Sequence, residues 1–220
     1  MQQPFFITGI GTDVGKTLVA AIITEALNAN YWKPIQAGYA NGTDTQTVQT
    51  LISNPVSVIH PELYKLKTPA SPHIAAANDG VTIDPALIGQ TAGRYLQQAG
   101  DKALLIEGAG GLLVPITNNW LVADMARLLH AKLILVSRNY LGSINHSLLT
   151  AAYCRSHNLD VAGWVFSDDY LHYEHEIVAL SGYPLLASVP KMPVINRKTI
   201  KKIAERIAPG LQTALNSDHV

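Results

Sequence analysis

Phe5-Phe6-Ile7-Thr8-Gly9-Ile10-Gly11-Thr12-Asp13-Val14-Gly15-Lys16-Thr17 decides the fold class. It is an apolar run, then a glycine loop ending in Gly15-Lys16-Thr17, then the apolar-periodic stretch Leu18 to Leu27. A strand, a loop and a helix in that order build a phosphate cradle. Backbone N–H groups of the loop and the helix N-terminus face the anion, Lys16 adds a mobile positive charge, and the Thr17 hydroxyl is placed to ligate Mg²⁺. The usual pattern has glycine five residues before Gly15, where this chain has Ile10 between Gly9 and Gly11, so the loop keeps permissive backbone. A chance glycine turn is the competing explanation, and the flanking strand and helix patterns weigh against it.

Outward from the loop, apolar runs recur at Phe5–Thr8, Tyr31–Ile35, Ala103–Ile106, Leu133–Ser137, Val161–Phe166 and Leu185–Val189. Most lack period-two alternation, the pattern of strands buried on both faces of a parallel sheet. Helical patterns lie between them: Thr17–Asn28; a segment opened by Asp84-Pro85, with Leu87, Ile88, Thr91, Tyr95 and Leu96 as its stripe; and Ser143–His157, carrying Ile144, Leu148, Leu149 and Ala152. The alternation predicts an α/β fold of doubly wound type, a mostly parallel sheet flanked by helices, in one domain over residues 1–220. Gly38 to Gln46 reads as a mobile polar loop leading into a helix, and the proline-rich Asn54 to Asn78 as extended chain. Ligands of open α/β sheets bind beyond the carboxyl ends of the strands, where Glu107, Arg138, Ser167 and Pro190 fall.

With 48% hydrophobic and 15% charged residues the composition is globular, and the zero net charge excludes a field that would steer the chain to nucleic acid or an anionic membrane. The single cysteine, Cys154, excludes an internal disulfide framework. No charged leader with an apolar core opens the sequence and no apolar run reaches spanning length, so the expected setting is the cytoplasm.

A phosphoryl-transfer site needs a metal clamp. Thr17 is one oxygen ligand, Glu107 before Gly108-Ala109-Gly110-Gly111 is the natural second, and Asp44 is a candidate third. The competing readings are a turn-capping carboxylate for Glu107 and a plain helix N-cap for Asp44. Lys33, before Pro34, would point at the same crevice and stabilise charge on a transferring phosphoryl group. Asp168 to Glu176 has metal-like spacing at His172, His175 and Glu176, but a solvated helix face is favoured. His73 and His146 read as hydrogen-bonded structural histidines and Cys154 as core. The basic amphipathic stretch Arg197–Ile207, interrupted by Pro209-Gly210, reads as a terminal helix on the core rather than a membrane anchor.

Seven motifs stand in order: Gly9–Thr17, Lys33–Gly38, Asp44, Pro69-Ala70-Ser71-Pro72-His73, Ile106–Gly111, Leu141-Gly142-Ser143-Ile144-Asn145-His146 and Gly163-Trp164-Val165. Together they resemble the dethiobiotin synthetase family of P-loop NTPase fold, from residue 5 to about residue 190. The resemblance implies a ligase that carboxylates 7,8-diaminononanoate (diaminopelargonic acid) with CO₂, phosphorylates the carbamate with ATP and closes a ureido ring. It implies Lys33, Lys16 and Thr12 as the catalytic residues and Mg²⁺ on Thr17, Asp44 and Glu107. Nucleotide would be bound by Asp13, Val14, Gly15, Lys16, Thr17 and Leu18, with Asp44, Glu107, Gly108, Ala109, Gly110, Ser167, Asp168 and Pro190. Substrate would be bound by Thr12, Lys33 and Ala37, and by Leu141, Gly142, Ser143 and Asn145 from the second subunit of an obligate homodimer. Ile10 and Gly11 replace a Thr-Asp pair of the family pattern, and Ala37 stands where some members have a substrate-touching serine. Ser167 replaces an asparagine that reads the adenine base, which predicts looser nucleotide choice.

Two other functions were open to such a chain. A cobyrinate-amidating synthase would need a glutaminase domain, for which the length leaves no room. A partition or cell-division ATPase switch carries a second lysine early in the glycine loop, and residues 9–15 contain none.

Overall fold

The structure, a computed structural model, describes residues 3–168 and 170–216. The elements run β1 (Phe5–Gly9), α1 (Lys16–Leu27), β2 (Asn30–Trp32), β3 (Ile35–Ala37), α2 (Asp44–Leu51), β4 (Ile59–His60), β5 (Tyr64–Leu66), α3 (Pro72–Asp79) and α4 (Pro85–Ala99). They continue with β6 (Leu104–Gly111), β7 (Pro115–Thr117), β8 (Trp120–Leu121), α5 (Val122–Leu128), β9 (Lys132–Ser137), α6 (Ser143–Ser156), β10 (Val161–Phe166), a 3₁₀ turn (Tyr170–His172), α7 (Glu174–Ser181), β11 (Leu185–Ser188) and α8 (Arg197–Asn216).

Among the described residues the main sheet has seven strands in the order β11-β10-β9-β1-β6-β2-β4, all parallel. Successive residues of each inner strand enter opposite cores, as a pleated strand covered on both faces must. Phe6, Leu104, Ile106, Leu133, Leu135 and Trp164 pack under α3 to α7. Ile7, Leu105, Ile134, Val136 and Val165 pack under α1, α2 and α8. The doubly wound expectation is met, and β1 lies at the middle of the sheet, so its glycine loop opens between β6 and β9.

Four local expectations are corrected. The run Tyr31–Ile35 is two strands, because Pro34 has no N–H to continue the ladder; β3 leaves the main sheet and pairs with β5. Asn54 to Asn78 is not extended throughout: it contains β4, β5 and α3, the last opening with Pro72 in the first helical turn, where a missing N–H costs nothing. Pro209 does not end the terminal helix, since Ile200, Ala204, Leu211 and Leu215 are all buried and hold one face to the core across it. On α6 the buried face is Ser143, Ser147, Ala151 and Cys154, while Leu149 is 61% exposed. The small residues face the sheet; of the expected stripe, Ile144 and Leu148 are half-buried, with Ile144 packed against the core, and Leu149 faces outward.

Candidate active site

The glycine loop folds tightly because two positions admit only glycine. A Cβ on Gly9 would meet Val14 Cγ2 at 2.5 Å, and Gly15 combines φ +91° with Ser167 side-chain atoms 2.7 Å from where its Cβ would be. This turn brings Lys16 back over the loop, its Nζ donating to the Gly11 carbonyl at 2.8 Å.

Glu107 was expected at a strand end. It lies inside β6, because Gly108 to Gly111 continue as strand, with Gly111 beside Gly9. Glu107 follows Leu105 by two residues, so it shares the face toward α1 and meets the first turn of that helix. The carboxylate is 1% exposed and nearly fully bonded: Thr17 Oγ1 donates to Oε1 at 2.9 Å, Lys33 Nζ to Oε1 at 3.1 Å and the Tyr31 hydroxyl to Oε2 at 2.8 Å. Lys33, 4% exposed, also pairs with Asp44 Oδ2 at 2.6 Å. Asp44 is the first residue of α2; the N-cap is Thr43, whose hydroxyl forms a capping box with Gln46. That frees the Asp44 carboxylate for Lys33. Gln36 steadies it, accepting from the Asp44 backbone N–H at 3.0 Å while donating to the Gly38 carbonyl at 3.0 Å.

Electrostatics follow from this packing. Burial pulls Lys33 toward losing its proton, but Glu107 and Asp44, by charge and hydrogen bonds, outweigh it and hold the ammonium above the ordinary lysine value. Burial, and then the charge of Lys33, lower Lys16 to about 8, while Glu107, Asp44 and Asp13 pull the other way. Burial, the Glu107 charge and the bond to Glu107 raise the Tyr31 phenol well above its usual range, which keeps it a donor.

Lys16, Thr17, Lys33, Gln36, Asp44 and Glu107 open on one cavity of about 430 Å³. Of the expected residues, Thr12, Asp13, Gly15, Lys16, Thr17 and Leu18 line it, with Lys33, Ala37, Asp44, Glu107, Ala109 and Gly110. Ile35, Gln36, Ala70, Ser71, Pro72 and Val114 complete the lining. Ala70 to Pro72 belong to the motif Pro69–His73, for which sequence reading offered no role. Tyr31 was missed altogether, as a tyrosine inside an apolar run carries no signal beyond strand propensity.

Other expected residues lie elsewhere. Val14 is buried in the core behind the loop, and Gly108 backs onto Phe6. Ser167 does not line the cavity; its hydroxyl donates to the Val14 carbonyl at 2.6 Å, which occupies the donor an adenine would need. Asp168 pairs with Arg138 at 3.4 Å and accepts from the Tyr170 N–H at 2.7 Å, and Pro190, like Asp168, is outside the cavity. Leu141, Gly142, Ser143 and Asn145 form the start of α6, also outside it, with Leu141 91% exposed. Beside the first cavity, sharing Thr12 and Val114 with it, lies a second of about 360 Å³, lined by Leu112, Leu113, His146, Leu149 and Tyr153 among others.

Among the described residues no group of three or more His, Cys, Asp or Glu side chains could hold a metal. The Asp168–Glu176 stretch is not wholly solvated as expected: Glu174 is buried and accepts from Asn139 Nδ2 at 2.9 Å, whereas Asp169 lies outside the described residues. His73 Nδ1 lies 3.3 Å from the Pro115 carbonyl oxygen and His146 Nδ1 2.7 Å from the Tyr140 hydroxyl, the structural roles expected of them. Cys154 is fully buried in the core. No helix of the described residues is long and apolar enough to cross a membrane.

A glycine loop leading into a helix at the centre of a parallel sheet, with a buried lysine over it, defines a P-loop NTPase. A protein-family model described as an AAA domain matches residues 3–199. The ATP-dependent dethiobiotin synthetase BioD of Cytophaga hutchinsonii is 44% identical over 207 residues, covering 94% of this chain and 97% of that protein. The enzyme of the same name from Agrobacterium fabrum is 43% identical, covering 91% and 92%. This chain belongs to the ATP-dependent dethiobiotin synthetase family, ligases of biotin biosynthesis. Among solved structures, the MinD cell division protein of Aquifex aeolicus aligns over 100% of this chain and 99% of its own with TM-score 0.59 and 13% identity. The pNOB8 ParA structure bound to nonspecific DNA aligns over 100% of both chains with TM-score 0.58 and 9% identity. At those identities the likeness shows the fold alone.

Proposed function

We propose that the chain converts 7,8-diaminononanoate, CO₂ and ATP to dethiobiotin, ADP and phosphate. One amine adds to CO₂ and sheds a proton, giving a carbamate. A carbamate oxygen attacks the γ-phosphorus, the bond from that phosphorus to the β–γ bridging oxygen breaks, and ADP leaves. The second amine then attacks the carbamoyl carbon, loses its proton, and phosphate departs as the ureido ring closes. The observation that carries the reading is the placement of Lys16 and Lys33 on one cavity with Thr12, Asp44 and Glu107. Two anions must approach each other here, and the paired lysines offset their repulsion and hold them in line. Lys16 spans the glycine loop where phosphates are cradled, and Lys33 faces the carbamate and the transferring phosphoryl group.

Asp44 and Glu107 meet at the Lys33 ammonium and Thr17 bonds to Glu107, so three hard oxygen donors lie together, a donor set that fits Mg²⁺. Mg²⁺ bound there would neutralise developing charge on the phosphates. The protein's own contribution is to fix the Glu107 carboxylate in place by three hydrogen bonds, from Thr17, Lys33 and Tyr31.

The second cavity, with its leucine lining, suits the alkyl chain of the substrate. Leu113 and Leu149, which line that cavity, are 58% and 61% exposed, and Leu141 just before α6 is 91% exposed, apolar surface that supports a homodimer whose partner brings its α6 start to the substrate carboxylate. The cytoplasm is the expected setting. The test is direct: purified protein, diaminopelargonate, bicarbonate and Mg-ATP, with mass detection of dethiobiotin. Absence of product would overturn the reading, and light scattering showing an active monomer would overturn the dimer.

A further inference from the structure

We propose that Tyr31 is a positioning residue, whose hydroxyl fixes the Glu107 carboxylate so that Oε1 faces the cavity. The inference rests on the reading of Glu107 as a metal ligand. Tyr31 sits on β2 in register with Leu105 of β6, so its side chain and that of Glu107, two residues on, lie on the same face. The ring is completely buried against the α1 side of the sheet and does not line the cavity, so it cannot touch substrate or nucleotide. Its hydroxyl donates to Glu107 Oε2 at 2.8 Å, on the opposite side of the carboxylate from Thr17 and Lys33, which both use Oε1.

The three donors differ in what else they have to do. Thr17 and Lys33 stand at the cavity, where metal, phosphate and carbamate would compete with Glu107 for both. Among the described residues the Tyr31 hydroxyl has no second hydrogen-bond partner, and the side chain is fully buried. It is the one donor that holds the carboxylate plane through the whole cycle, as outer partners of metal ligands do.

Tyr31→Phe removes the hydroxyl and leaves the ring. Mn²⁺ is titrated into the ADP-loaded full chain, and the free ion is followed by its paramagnetic resonance signal. Glu107→Gln runs beside it, and thermal melting checks that each variant folds. The expected result is Mn²⁺ binding about 10-fold weaker in Tyr31→Phe, the scale typical of a lost outer partner. Tyr31→His, which keeps a ring donor, is expected to bind more tightly than Tyr31→Phe, and it carries the test if Tyr31→Phe does not fold. Weakened binding in Glu107→Gln with wild-type binding in Tyr31→Phe, or a changed melting temperature alone, overturns the role of Tyr31. Wild-type binding in Glu107→Gln overturns the metal role of Glu107 and the inference with it.

Discussion

Lys33 Nζ bridges Asp44 Oδ2 at 2.6 Å and Glu107 Oε1 at 3.1 Å, so one buried ammonium joins two carboxylates from α2 and β6. In the absence of metal, this lysine neutralises the groups that would bind one. On the proposed reading, a cation entering between Asp44 and Glu107 would compete with Lys33 and free its ammonium for the anions in the cavity.

Lys33→Ala is therefore expected to act on both rate and stability. Removing one electrostatic stabiliser of the transferring group costs on the order of 10²–10³ in turnover. It also leaves Glu107 and Asp44 short of their counter-charge. Breaking a buried pair costs up to about 3–5 kcal/mol, less here because the Asp44 side chain is 33% exposed. Single-turnover kinetics and urea unfolding measure the two effects, and near-normal turnover in a folded variant would remove Lys33 from the chemistry.

Asp44→Asn is expected to raise the Mg²⁺ concentration for half-maximal activity by about 10-fold or more, as an amide oxygen is a poorer ligand for a hard cation. Chelating the metal with EDTA should abolish turnover and excess Mg²⁺ restore it. An activation curve that overlays wild type would show that Asp44 serves only to hold Lys33.

Much of this site was legible because its residues sit in local patterns. Gly9 to Thr17 announces itself by composition, and Asp84-Pro85 by capping chemistry, with Asp84 bonding the Ala86 N–H at 2.8 Å as such a cap should. What stayed hidden depends on partners far away in the chain. Tyr31 is bonded to Glu107, 76 residues on, and on α6 the fully buried positions are the small Ser143, Ser147, Ala151 and Cys154 while Leu149 of the expected stripe is exposed. Periodicity marks an apolar face but cannot say whether a core or another surface covers it.

Cys154 gives a pH prediction. The thiol is completely buried, and burial raises it to about 12. Its folded value lies above its unfolded value, so between about pH 9 and 12 the unfolded chain releases a proton that the native state keeps, and this group makes stability fall as pH rises across that window. Cys154→Ala should flatten that fall, as read from melting curves between pH 8 and 10.5. Iodoacetamide at pH 8 should leave the native thiol unmodified and alkylate it in urea; rapid native labelling would mean the site opens.

Ser167 gives the last prediction, and here the geometry changes the expectation drawn from sequence. An asparagine at this position would offer adenine a paired donor and acceptor, and serine would read the base loosely. The Ser167 hydroxyl instead donates to the Val14 carbonyl at 2.6 Å, and its side chain sits where a Cβ on Gly15 would be. It tethers the end of β10 to the phosphate loop. Ser167→Ala should then loosen the loop, at a cost of about 1 kcal/mol for one buried hydrogen bond, or about fivefold in KM for a triphosphate. On the proposed reading the loop would contact phosphates and not bases, so KM for ATP and GTP should rise together and their ratio stay within about twofold. Steady-state kinetics with both nucleotides decide it: a shifted ATP-to-GTP ratio with unchanged KM for ATP would show that position 167 reads the base after all.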